Sequence, residues 1–249
     1  LRWFITSTIA VHIMSLLHGI DLYAAEAVGV AALIGPAQVA GGLLVPPAPP
    51  RLRRDDLAGE APRSSAQRRA LVLLGAFFSL RWFITSTIAV HILSLLHGID
   101  LTAAEAVGVA ALIGPAQVAG RLLEYVIGPR INLLIKARVG AVLFPVGAVL
   151  LLFGGAYAAM GFAVLYGMSN GILTINRGTL PLAIFGPAGY AALLGWLAVP
   201  VLLAQALAPT VTAPAIAALP ALDVFLVCGA GAAVAMTFLL PLRLPAASR

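Results

Sequence analysis

The chain has 249 residues, of which 61% are hydrophobic and 10% charged, with a mean hydropathy of +1.05. Soluble domains carry about 25% charge, so this composition excludes a water-facing globular fold and specifies an integral membrane protein. The net charge of +6 does not signal nucleic acid, because the basic residues sit in short segments between apolar runs, and the single cysteine, Cys228, excludes an internal disulfide and a cysteine-based metal cluster.

In chain order, the first feature is a repeat. Residues 1–44 reappear as 80–123 with three changes, Met14/Leu93, Tyr23/Thr102 and Gly42/Arg121. So close a copy is unlike the weak internal symmetry of an old transporter fold; it reads as a recent duplication or a join of overlapping gene pieces. Leu1 opens in the middle of an apolar segment, so the start reads as a truncation. About 20 apolar residues cross the hydrocarbon core as a helix. The expected spans are 1–19, 24–45, 70–97, 103–123, 138–154, 157–175, 189–208 and 222–241. The segment 46–69 is rich in Pro, Ser and charge and cannot bury apolar area, which predicts a flexible linker. The expected organisation is a two-helix fragment (1–45), the linker (46–69) and a six-helix block (70–249).

Thirteen of the fifteen basic residues fall in alternate connecting segments: the linker, the segment 121–138, the region of Arg177, and the tail with Arg243 and Arg249. The opposite segments hold acidic residues, Asp21, Glu26, Asp100, Glu105 and Asp223. The positive-inside rule makes the basic side, with linker and C-terminus, cytoplasmic. Only Arg2 and Arg81 fall within spans.

Three passages carry a family resemblance. A basic linker runs into AVHILSLLHGIDLTAAEAVGVAALIGPAQVAGRLLE. The stretch Gly120-Arg121-Leu122-Leu123-Glu124, with Gly128 and Arg130, looks like a thinned copy of a cytoplasmic loop motif. LYGMSNGILTINRGTLPLAIFGPAGYAALLGW is similar to the fourth and fifth helices of a transporter half. On these residues the block resembles the C-terminal half of a major facilitator superfamily transporter. The resemblance implies an all-α polytopic membrane bundle, a six-helix half plus two extra N-terminal helices, in a bacterial inner membrane. It also implies that Gly120, Arg121, Glu124, Gly128 and Arg130 form a cytoplasmic gate, and that a missing six-helix half or a second copy completes the transporter. No cofactor is implied; the partners are a small solute, protons and the lipid bilayer.

Polar groups inside the spans supply the candidate site. Arg81 lies about 11 residues, or about 16 Å, into its expected helix. It binds an anionic solute from a cavity, or it snorkels to the headgroups from a tilted helix. Thr87, His91 and Ser94 share a helix face; His91 is either a proton-coupling group or a packing hydrogen bond. Arg121 and Glu124, at i and i+3, are spaced to pair as a gate latch or as a helix-end ion pair, and the first copy lacks both. Tyr166, Asn170, Thr174 and Arg177 form a stripe whose outer members, Tyr166 and Asn170, are expected to line a cavity, with Arg177 as an interfacial anchor. Gln205, between Pro200 and Pro209, is expected to line it from a kinked helix, and Gly161, Gly167, Gly171, Gly229 and Gly231 predict close helix packing.

The chain is not expected to be an enzyme. A rhomboid-like reading of Gly167-Met168-Ser169 needs a base after the serine, and all four histidines precede it. The expected function is secondary transport of a small solute; the alternative is a non-transporting membrane fragment or assembly product.

Overall fold

The computed structural model describes residues 64–187 and 189–244, and every structural statement below refers to these residues. The duplicated fragment 1–45 and nearly all of the linker lie outside them. The described residues form six helices: α1 Ser65–His97, α2 Ala103–Ile127, α3 Leu133–Leu150, α4 Gly155–Phe185, α5 Tyr190–Ala218 and α6 Ala221–Thr237. Short 3-10 turns, Gly128–Arg130 and Leu151–Phe153, follow α2 and α3. Five helices are long and apolar enough to cross a membrane. The sixth, α6, has 17 residues, the short end of the spanning range, and 3-10-type bonds at Phe238, Leu239 and Leu240 prolong it.

Helix ends follow local chemistry. A capping box of Ser64 and Gln67 starts α1 five residues earlier than expected, and one of Thr102 and Glu105 starts α2 at Ala103, as expected. Helix α4 runs ten residues past its expected end. The polar residues beyond that expected end are held within the helix: Asn176 bonds back to Ile172 O, and Arg177 lies over the Trp82 ring at 5.2 Å. Arg177 is therefore a side chain of the α4–α1 contact rather than a free interfacial anchor. Gly186, at φ +79°, ends the helix instead. Helix α5 continues through Pro200, Pro209 and Pro214. Pro209 has no N–H for Gln205 O; Ser86 of α1 donates to that carbonyl at 2.9 Å.

Two hydrophobic clusters stack along the bundle. One gathers Leu74, Phe77, Leu134, Leu180, Leu197 and Leu239 at the end where α1, α3 and α5 begin. The other gathers Ile88, Leu95, Phe144, Phe162, Tyr166 and Phe225 at the opposite end. The first end carries Arg68, Arg69, Arg130, Lys136 and Arg138, and Arg138 bonds to Leu239 O and Leu240 O of the last helix's exit. The second carries Asp100, Glu105 and Asp223. Exposed aromatics mark both ends, Tyr125 and Trp196 near the basic end and Phe153 and Tyr157 at the other. The amphipathic rings of Tyr and Trp favour such headgroup levels.

The broadest interfaces join α2 to α4, α1 to α5, α3 to α4, α1 to α6 and α3 to α6. Exchanging each helix with the one three places away (α1 with α4, α2 with α5, α3 with α6) maps this set onto itself. A triplet has an odd number of crossings, so the two triplets run in opposite directions. Glycines let α2 and α4 approach: a Cβ on Gly120 would stand 2.6 Å from Met168 O, one on Gly167 2.5 Å from Ile113 O, and one on Gly171 would strike Gln117 O. Gly229 packs in the same way on Ala148 of α3.

Candidate functional site

Arg81 is the midpoint of α1 and Asn170 the midpoint of α4, the two helices exchanged by the triplet relation. These midpoints meet. Arg81 Nη2 donates to Asn170 Oδ1 at 3.0 Å and to Ser169 Oγ at 2.9 Å, and Nη1 donates to Thr85 Oγ1. Ser169 passes the chain on to Gly140 O of α3 at 2.6 Å. The guanidinium also lies 5.1 Å from the Phe144 ring centroid, a favourable cation–π placement.

Arg81 is completely buried. It stands 16 residues from either end of α1, and its guanidinium is held by Thr85, Ser169 and Asn170 instead of extending toward a helix end. The headgroup-anchored reading of Arg81 is thereby corrected: the side chain turns inward, between the two apolar clusters. Its partners are all neutral. The carboxylates among the described residues, Asp100, Glu105, Glu124 and Asp223, belong to helix ends. Arg81 Nε is buried without a partner.

The other candidates distribute around this centre. Tyr166 is also buried; its ring stacks on Phe162 with centroids 5.6 Å apart, and its hydroxyl donates to Thr85 O at 3.1 Å. Asn170 and Thr85 are half-buried, so they form the partly open face of a centre whose back is Arg81, Ser169 and Tyr166. Thr174, one turn on, is exposed. His91 and Gln205 are half-buried on a different contact, between α1 and α5. There His91 Nε2 lies 3.4 Å from Pro209 O and Thr212 lies 3.4 Å from Thr87. The structure therefore groups Arg81, Tyr166 and Asn170, and sets His91 and Gln205 apart from them. Sequence reasoning missed Thr85 and Ser169 as partners of Arg81. A hydroxyl in an apolar helix carries no local mark of a partner 88 residues away.

At the basic end, Glu124 pairs with Lys136 of α3 at 2.7 Å, not with Arg121 as the i, i+3 spacing suggested. Lys136 lies one turn inside α3 and reaches back across the α2–α3 turn, whereas Arg121 Nε is buried without an acceptor. Gly128 leaves room for the pair, since a Cβ there would stand 3.2 Å from Lys136 Nζ. Arg130 closes the turn by donating to Val126 O at 3.2 Å. Glu124, Gly128 and Arg130 thus brace the α2–α3 turn, and Gly120 serves the α2–α4 contact.

These features define a class: a multi-pass membrane helical bundle with a polar centre at the midpoints of α1 and α4. The chain matches no protein-family model, and no curated protein is significantly similar to it.

Proposed function

We propose that the six-helix bundle is one half of a secondary transporter of the major facilitator type, moving a small solute by alternating access. The observation that carries this reading is the packing scheme. Two oppositely directed helix triplets, exchanged by a shift of three, form a six-helix unit of the kind from which such carriers are built, with the solute handled near mid-depth. The meeting of Arg81 with Asn170 at the helix midpoints supports the same reading, because intramembrane charge is costly and is kept for pathways. In this reading Asn170 and Thr85 present the solute-facing surface and Arg81 and Tyr166 back it. The basic end faces the cytoplasm of a bacterial inner membrane, and a second six-helix half or a second copy completes the path. His91 against Pro209 O offers a protonatable contact at the α1–α5 seam for coupling. The reading is that of a carrier rather than an enzyme; the engagement of Ser169 with Gly140 O and Arg81 supports this.

A second reading, a non-transporting bundle, draws on the complete burial of Arg81 and Tyr166, which serves packing equally well. Reconstituting the full chain in lipid vesicles separates the two. The transporter reading expects saturable uptake from a panel of acetate, phosphate, alanine and glucose, reduced at least tenfold by Asn170→Leu. Uptake rises with the square of protein density if two copies are needed. Uptake no greater than in empty vesicles for every solute favours the packing reading.

A further inference from the structure

We infer that the polar centre binds a small anion with an oxyanion head, a carboxylate or a phosphate-type group, through Arg81 and Asn170. The inference deepens the transporter reading of the same centre and rests on it for the idea that the centre opens to solute.

The argument begins with charge. Arg81 is buried in full, and its bonds go to Thr85, Ser169 and Asn170, all neutral. A desolvated guanidinium is strongly stabilised by an anionic partner, and neutral acceptors replace only part of lost hydration. The donors are also incompletely used. Nη2 spends both hydrogens on Ser169 and Asn170, Nη1 spends one on Thr85, and Nε has no acceptor. Guanidinium donors are fixed in one plane and suit the two oxygens of a carboxylate or phosphate.

Access and response follow from the neighbours. Thr85 and Asn170 are the half-buried members of the centre, so the guanidinium lies one side chain behind the open face. The α1–α4 contact is far slighter than the α1–α5 and α2–α4 interfaces flanking it. Asn170 Oδ1 now accepts from Arg81 and lies 3.3 Å from Thr85 Oγ1, standing in for the missing anion. Rotating the amide exchanges Oδ1 for the NH2 group, which converts Asn170 from an acceptor for Arg81 into a second donor for an arriving oxyanion. A neutral solute gains nothing from that exchange.

The test uses the purified full chain in detergent micelles, with unfolding followed by tryptophan fluorescence. Ionic strength is held constant with a bulky sulfonate buffer salt. Sodium acetate and sodium phosphate are titrated, with acetamide as the neutral isostere of acetate. The expected result is a saturable rise in the unfolding midpoint with one or both oxyanions and none with acetamide. Asn170→Asp supplies an internal carboxylate; it should raise the midpoint without added anion and weaken the apparent anion affinity at least about tenfold. Arg81→Gln should abolish the response. If Arg81→Gln does not fold, the aspartate variant still decides. No shift in the wild-type chain, or an unchanged response in Asn170→Asp, overturns the inference. Anion binding without vesicle uptake leaves the site standing and removes the transporter reading. Uptake of glucose without anion stabilisation does the reverse.

Discussion

At the scale of the residue, Arg81 separates stability from function. Its neutral partners have other bonds: Ser169 donates to Gly140 O, and Asn170 Oδ1 retains Thr85. Replacing a buried charge by an apolar side chain of similar length is often neutral or stabilising, whereas a charge with fewer partners is costly. Arg81→Met is therefore expected within about 1 kcal/mol of the parent or above it, and Arg81→Lys about 3 kcal/mol below, because a compact ammonium cannot reach three acceptors at once. Thermal unfolding in detergent ranks the two, and the opposite order would show that the charge itself holds the bundle together. Ser86→Ala removes the donor to Gln205 O below Pro209 and should cost about 1 kcal/mol in the same assay. Arg81 and Asn170 were legible in the sequence because charge and amide are rare inside apolar runs. Their pairing was not, since it depends on a contact across 89 positions. At Gln205 the residue was legible but the useful atom was not: the helix uses its backbone carbonyl, exposed by a proline four positions on.

At the scale of the element, glycines separate packing from composition. Gly167 and Gly171 face α2 so closely that a methyl group would enter its backbone, whereas Gly108 and Gly114 have nothing near a Cβ. Gly167→Ala and Gly171→Ala should each lower stability by about 1–3 kcal/mol through overpacking. Gly108→Ala and Gly114→Ala should be neutral or stabilising by up to about 1 kcal/mol from helix propensity. Equal effects in the two sets, read by thermal unfolding, would contradict the described α2–α4 contact. The helices themselves were largely legible, as long apolar runs between charged turns. Their ends were less so, because α4 and α5 run on past 175 and 208 with tertiary partners, Trp82 beside Arg177 and Ser86 at Gln205 O, that no local window contains. The Arg121–Glu124 pair failed for a related reason: spacing on one helix could not reveal the better-placed Lys136 on the next.

At the scale of the whole described bundle, the triplet exchange makes specific proximities. With Cys228 replaced by serine, Thr87→Cys with Thr212→Cys should cross-link α1 to α5, because the two side chains already lie 3.4 Å apart. Cysteines placed on the exposed faces of α2 and α5 should remain unlinked to one another. Membrane-impermeant thiol labelling checks the charge polarity: Tyr125→Cys and Leu240→Cys should react from one side and Thr102→Cys from the other. Reaction of Tyr125→Cys and Thr102→Cys from the same side would mean that α2 does not cross. Composition and charge alternation made this sidedness legible, but the exchange of partners between triplets was not, because it is a property of interfaces and leaves no sequence period.

That exchange also sets an order on biosynthesis. The broad partner of α1 is α5 and that of α2 is α4, so neither early helix meets its principal neighbour until the second triplet has been made. Arg81 leaves the ribosome 89 residues ahead of Asn170. At about 5–20 residues per second it spends roughly 5–20 s as an unsheltered cation. During that interval the nascent chain needs a protected berth, in the insertion machinery or at the headgroup level, and a pause in elongation between the two residues would lengthen the stay.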